Sequence, residues 1–255
     1  MTQPSTLKIV GPDRAGGFMA RLRRIGVLGG MGPEATVTLM QRLQAGTPAR
    51  DDSDHVPLLV DMNPQVPSRI RHLIEKTGPN PGPVMAEMAV RLETAGAEAL
   101  IMPCNTAHHY ASFVTERVRI PFLSMLALTC VELASQVAPG SKVGILASPA
   151  TNQIGLFQTH LNDVGLVALF PEDEGTVLSA IRRIKQYGPD EADIALLHEK
   201  SAELVKQGAA AILVGCTEFS LISGQIKTTV PIVDALDILV AATLNFAGVR
   251  LDDPA

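Results

Sequence analysis

Two similar α/β units, each a parallel sheet flanked by helices and related by a pseudo-two-fold axis, are what this chain of 255 residues predicts. Three observations predict it. Apolar runs of strand length alternate with stretches of helix length, the pattern of a sheet with helical crossovers. The pattern runs once and restarts: "IGVLGG" is answered by "VGILAS", "ALIMPCNT" by "AILVGCT", and "IPFLSM" by "VPIVDA". Each unit also places a cysteine eight residues after a glycine, in "GAEALIMPC" and "GAAAILVGC".

The elements follow in order. "RIGVLGG" reads as a buried strand from Ile25 to Leu28 and a glycine turn, with Pro33 in the first turn of the next helix. "HVPLLVDMNP" is a second strand, ended by Asn63-Pro64. "PGPVMAEMAVRLETAGAEALIMPCNTAHHYASFVTERV" is a helix, a strand, a turn at Cys104 and a further helix. "IPFLSM" is a short strand before the helix "LALTCVELASQV". In the second unit, "SKVGILASPATNQIGLFQTHL" gives strand, turn and helix, and "LVALFP" gives a strand. "DEADIALLHEKSAELVKQGAAAILVGCTEFSLI" is a helix, a strand and a turn at Cys216. "VPIVDALDILVAATLNFA" supplies the last strand and closing helix. Crossovers in such sheets are right-handed. The expected division is a lead-in over residues 1–22, a first unit over 23–121 with 233–255, and a second over 122–232.

Hydrophobic residues make up 46% of the chain and charged residues 18%, the composition of a soluble globular protein. A net charge of −5 lacks the basic footprint of nucleic-acid binding. No apolar run approaches the roughly 18 residues that cross a bilayer, so no membrane partner is expected. The polar start lacks the h-region of a secretory signal and reads as a disordered lead-in, with Met19 an alternative start. Three cysteines are too few for a disulfide scaffold, so reduced thiols and a cytoplasmic location are expected.

Each repeated cysteine lies where an apolar strand ends and a polar turn opens a helix, which is where α/β sheets place ligands. Two units facing each other would bring both thiols to one ligand from opposite sides. Inversion of a stereocentre requires that arrangement: a thiolate takes a proton from one face and a thiol returns one to the other. Helix N-termini lower a cysteine pKa from about 8.5, and both cysteines are expected to be tuned in this way. Amide donors at the same turns suit a substrate carboxylate. The plainer reading of a buried cysteine is a small hydrophobe. Cys130, inside "LALTCVELA", takes that reading.

Other chemistries lack support. "GGMGPE", with Gly29, Gly30 and Gly32, departs from dinucleotide-binding spacing. His108 and His109 are adjacent and cannot face one metal from a regular helix, and no zinc spacing accompanies them. His108 reads as a helix-start histidine beside an exposed neighbour. No lysine has the context of a pyridoxal Schiff base. Neither cofactor nor metal is expected.

The motifs "GGMGPEAT", "NPQVPSR", "MPCNTAH" and "GCTE", in that order, resemble the cofactor-independent aspartate/glutamate racemases, most closely the aspartate racemases. The resemblance runs from Arg24 to about Ala247. It implies two Rossmann-like halves, a dimer, and Cys104 and Cys216 as the paired acid/base groups. It implies that Asn105, Thr106 and Thr217 face the substrate's carboxylate or amino group and that Thr151, in "ASPAT", contacts the α-carboxylate. Arg69 matches the arginine that holds the distal carboxylate, a task suited to a planar guanidinium fork. Lys185 is the candidate for a helping lysine. Met31 and Gln65, inside the first two motifs, and Glu218, inside the last, complete the substrate-contact candidates. Ser68 stands where the family often has Asp. For Glu218 the alternative is a capping role, and for Arg69 and Lys185 an ordinary surface position.

Interconversion of L- and D-aspartate, with glutamate next, is the leading expectation, and a broad-specificity amino-acid racemase the nearest alternative. A single-cysteine isomerase or decarboxylase of the same superfamily is less favoured, because both cysteines are present. A non-catalytic binding protein, or a redox switch joining Cys104 to Cys216, is the remaining class.

Overall fold

The computed structural model describes residues 21–250. The expected lead-in lies outside the described residues except for its last two, and there Arg21 pairs with Glu98 at 2.8 Å. The first half begins with β1 (Ile25–Gly29), α1 (Pro33–Ala45), β2 (Leu58–Met62), α2 (Arg69–Leu73) and α3 (Gly82–Thr94). It continues with β3 (Ala99–Ile101), α4 (Ala111–Thr115), β4 (Phe122–Leu123) and α5 (Met125–Gln136). The second half holds β5 (Lys142–Leu146), α6 (Pro149–Gln153), α7 (Leu156–Asp163), β6 (Val167–Leu169), α8 (Glu174–Tyr187) and α9 (Glu191–Lys206). It ends with β7 (Ala209–Val214), α10 (Thr217–Ser220), β8 (Ile232–Asp234) and α11 (Ala235–Ala247).

All pairings are parallel, and the two sheets have the same order, β2-β1-β3-β4 and β6-β5-β7-β8. Each repeated sequence pair therefore occupies the same place in its own sheet. Burial of β1, β3, β5 and β7 inside their sheets explains the continuous apolar runs there. At two short edges the sheets run across the bounds of the expected division. Phe122 and Leu123 pair with β3 in the first sheet, and Val233 and Asp234 pair with β7 in the second. Backbone pairing decides sheet membership there, and two- or three-residue strands carry little pattern of their own.

One core is common to both halves. It joins Ile25 and Val27 of β1 with Val143 and Ile145 of β5 and Leu213 of β7, through Leu126 of α5 and Leu236 of α11. Separate clusters fill the outer faces, one under α3 and the other under α8 and α9. Helix starts follow local chemistry. Pro33 opens α1, and Asp190 caps α9 in a reciprocal box with Asp193. No helix among the described residues is long and apolar enough to cross a membrane.

The helices expected to open after the two cysteine turns are short. Cys104 is followed by a 3₁₀ turn, Thr106–Tyr110, and the five residues of α4. Cys216 is followed by the four residues of α10 and a second 3₁₀ turn, Ser223–Gln225. Elements this short sum few peptide dipoles.

Candidate active site

The turns after β3 and β7 meet on one cleft, lined by Cys104, Asn105 and Thr106 from the first half and Cys216, Thr217 and Glu218 from the second. Asn105 ties the turns together, donating from Nδ2 to the carbonyl of Gly215 at 3.0 Å. Its Oδ1 is buried with no hydrogen-bond partner among the described residues, an acceptor left for a ligand. Cys216 is buried, Cys104 partly so, and both are free thiols.

At Cys216 the chemistry differs from expectation. Its Sγ–H donates to Glu218 Oε2 at 2.8 Å. Burial, reinforced by the Glu218 carboxylate, raises this thiol well above its ordinary value, and the nearby ammonium of Lys185 opposes the rise. The expected lowering by a helix N-terminus is thus reversed. A four-residue helix is too weak a dipole to outweigh desolvation and an adjacent carboxylate. Glu218 does not act as a plain cap: it accepts the thiol and pairs with Lys185.

Lys185 reaches the cleft. Although 39% of its side chain is exposed, Nζ lies 3.3 Å from Glu218 Oε1, and Lys185 lines the same space as the cysteines. Burial works against the ammonium, but Glu218 foremost, with Cys216 and Cys104 behind it, holds its pKa above the ordinary value. Ile181 lines the cleft as well. It stands one helical turn before Lys185, so the i, i+4 spacing was the signal that sequence reading missed.

Arg69 opens α2 at the cleft wall. One of its terminal nitrogens donates to the carbonyls of Val66 and Pro67, at 3.2 and 2.9 Å. Its Nε is buried without a partner among the described residues. Ser68 caps α2 by accepting from the amide of Arg71 at 3.3 Å, a task that either serine or aspartate performs. Met31, 3% exposed, lines the cleft too.

Two expected contacts are not brought together with the rest. Gln65 is exposed outside the cleft lining. Thr151 is fully buried and donates its hydroxyl to the carbonyl of Ser148 at 2.7 Å. Ser148 lines the cleft in its stead. It caps α6 directly after β5, a strand-end position that the repeat already marked. Cys130 is 1% exposed in α5, and burial pushes its thiol up to about 12, so it serves as core. His109 is the exposed neighbour that the sequence suggested, and His108 is buried.

The chain is similar to the broad specificity amino-acid racemase RacX of Bacillus subtilis, 26% identical over 226 residues, covering 87% of this chain and 96% of that protein. Among solved structures it is similar to Picrophilus torridus aspartate racemase, with a TM-score of 0.75 and 28% identity over 90% of this chain and 96% of that one. Glutamate racemase from Francisella tularensis, solved with D-glutamate, shares the fold at a TM-score of 0.61 and 18% identity, covering 91% of this chain and 84% of that one. Residues 28–243 match the Asp/Glu/Hydantoin racemase family, and the match takes in both cysteine turns and every residue that lines the cleft. The chain belongs to the Asp/Glu/Hydantoin racemase family.

Proposed function

We propose that the protein interconverts the enantiomers of an acidic amino acid, aspartate first and glutamate next, by proton transfer between Cys104 and Cys216 with no cofactor. The observation that carries this reading is that one cysteine turn from each half reaches a single cleft, together with the cations Arg69 and Lys185. In one direction, a Cys104 thiolate takes the α-proton, and the electron pair stays on the substrate carbon. The Cys216 thiol then donates its proton to the opposite face, forming the new C–H bond. Roles exchange for the other enantiomer, and Glu218, which already accepts the Cys216 proton, is placed to receive it.

The free Oδ1 of Asn105 suits the substrate ammonium. Arg69, with a buried nitrogen that has no partner among the described residues, is the cation that suits a distal carboxylate, and Lys185 stands beside it. A second reading, broad substrate specificity, is favoured by the Lys185–Glu218 pair, which satisfies the lysine without any substrate carboxylate.

The test is racemisation and α-proton exchange in deuterated water with a panel of L- and D-amino acids. Aspartate should racemise with no added cofactor. Cys104→Ala and Cys216→Ala should each lose about 10²- to 10⁴-fold or more in rate while folding normally. Full racemisation by either variant would overturn the two-thiol mechanism. A preference for neutral amino acids would select the second reading.

A further inference from the structure

The residue four places after each catalytic-turn cysteine is moored to the helix that follows the fourth strand of its own half. In the second half that residue is Ser220, which donates to Asp234 Oδ1 at 2.6 Å, and Asp234 caps α11 through the amide of Leu236 at 2.9 Å. In the first half it is His108, 6% exposed, with its ring 5.3 Å from that of Phe122. His108 Nε2 accepts from the amide of Met125, the first residue of α5, at 3.1 Å. That acceptor role leaves the ring proton on Nδ1, which donates to the carbonyl of Cys104 at 2.9 Å.

We propose that His108 is a positioning residue for Cys104, its neutral imidazole tying the backbone of the cysteine turn to the first residue of α5 and so aiming Sγ into the cleft. The proposal rests on the two-cysteine reading. A neutral imidazole donates at one nitrogen and accepts at the other, as this bridge requires. Met125 N–H is one of the four amides that a helix start leaves without an intrahelical partner, so the bridge also satisfies a buried donor. The amide of Ala107 reaches the same Cys104 carbonyl at 3.1 Å, but it belongs to the turn and gives no hold on a neighbouring element. The mooring differs from that of the Cys216 turn. There Asp234 also accepts from Ser223 Oγ at 2.7 Å and pairs with Arg42 at 2.9 Å, so several groups share the task. His108 alone links the Cys104 carbonyl to α5 among the described residues.

The experiment compares His108→Leu, which neither donates nor accepts, with His108→Gln, which does both, in the full chain. Iodoacetamide alkylation is followed at each cysteine by peptide mass spectrometry, so Cys216 is the internal reference for Cys104. In folded His108→Leu the Cys104/Cys216 rate ratio should change about fivefold or more, because the thiol's access and surroundings change. An ångström-scale misplacement should lower kcat about 10- to 100-fold, and KM should stay within about threefold. His108→Gln should restore both the ratio and kcat to within about threefold of wild type. An unchanged ratio in folded His108→Leu, or equal behaviour of the two variants, overturns the proposal. If His108→Leu does not fold, His108→Asn takes its place, since that side chain is too short to reach Met125. Asn and Gln variants with the same ratio would then overturn it. Absence of racemisation in the wild type would sink the two-cysteine reading instead, while the alkylation ratio would still report on the tie.

Discussion

Lys185 and Arg69 present two cations to the cleft in different states. The lysine is already paired with Glu218, whereas the arginine keeps a buried nitrogen free. Arg69→Ala should therefore cost aspartate turnover more than Lys185→Met does. Losing the charged partner of a desolvated carboxylate costs about 2–5 kcal/mol, with Lys185 at the lower end because its side chain is partly exposed. The measurement is kcat/KM for aspartate, glutamate and alanine, and a selective loss for the two acids is expected. Equal losses on all three would assign Arg69 to the fold or to the cysteine turn.

His108 contributes a pH dependence of its own. Burial foremost lowers its pKa from 6.5 to about 4, the bond to Cys104 opposes the shift, and His160 adds to it. Between those values the unfolded chain binds a proton that the folded chain refuses, so stability falls as pH falls through this window. The full effect is about 3 kcal/mol, and roughly 2 kcal/mol of it is lost by pH 5. His108→Gln should lose correspondingly less between pH 7 and pH 5 in urea unfolding. Identical losses would show that His108 does not titrate as a buried neutral group.

Among the elements, β1 and β5 show how closely the repeat holds. Gly26 and Gly144 occupy the same position in the two strands. A Cβ at Gly26 would stand 2.7 Å from Leu100 Cδ2, 2.9 Å from Ala97 Cβ and 3.2 Å from Leu92 Cβ. At Gly144 it would stand 2.8 Å from Ile212 Cδ1 and 2.9 Å from Leu204 Cβ. In each half a helix, α3 or α9, lies on its sheet at the spacing that glycine permits. Gly26→Ala and Gly144→Ala should each destabilise by about 1–3 kcal/mol through overpacking, read as a lower urea midpoint. Neutral substitutions would mean that the helices move away freely. The longer strands β1, β2, β5 and β7 and the long helices α1, α9 and α11 were legible because their apolar patterns extend over five residues or more. The segments after Cys104 and Cys216 were not. Their helical residues are few, and the chain there is shaped by bonds to the opposite half and to following helices.

Across the whole molecule, the halves are joined by the common core around α5 and α11 and by a polar cluster centred on the buried Asp234. Arg42 of α1 pairs with Asp234 at 2.9 Å and with Asp237 at 2.7 Å, and it reaches the carbonyl of Ser220 in α10. Asp234→Ala removes one of that guanidinium's two carboxylate partners, the shared acceptor of Ser220 and Ser223, and the cap of α11. Losing these bonds to a buried carboxylate costs about 2–3 kcal/mol, since Arg42 keeps Asp237 as a partner. Urea unfolding should show that loss in a single transition common to both halves. A loss below about 1 kcal/mol would mean that solvent or neighbouring groups replace the carboxylate at little cost.

The chain's order of residues was enough to determine the duplication, the parallel strands, the two equivalent cysteine turns and the core role of Cys130. Each of these is written in local period or in a repeated motif. Tertiary structure decided which neighbours the turns acquire. Glu218, beside Cys216 in the chain, gained a lysine partner because α8 carries Lys185 to it, and Ser148 displaced Thr151 because α6 turns the threonine inward. The proton affinity of Cys216 was decided in the same way. It depends foremost on desolvation, then on the Glu218 carboxylate two residues along and on the opposing ammonium of Lys185, and no local pattern encodes the burial or the lysine's approach.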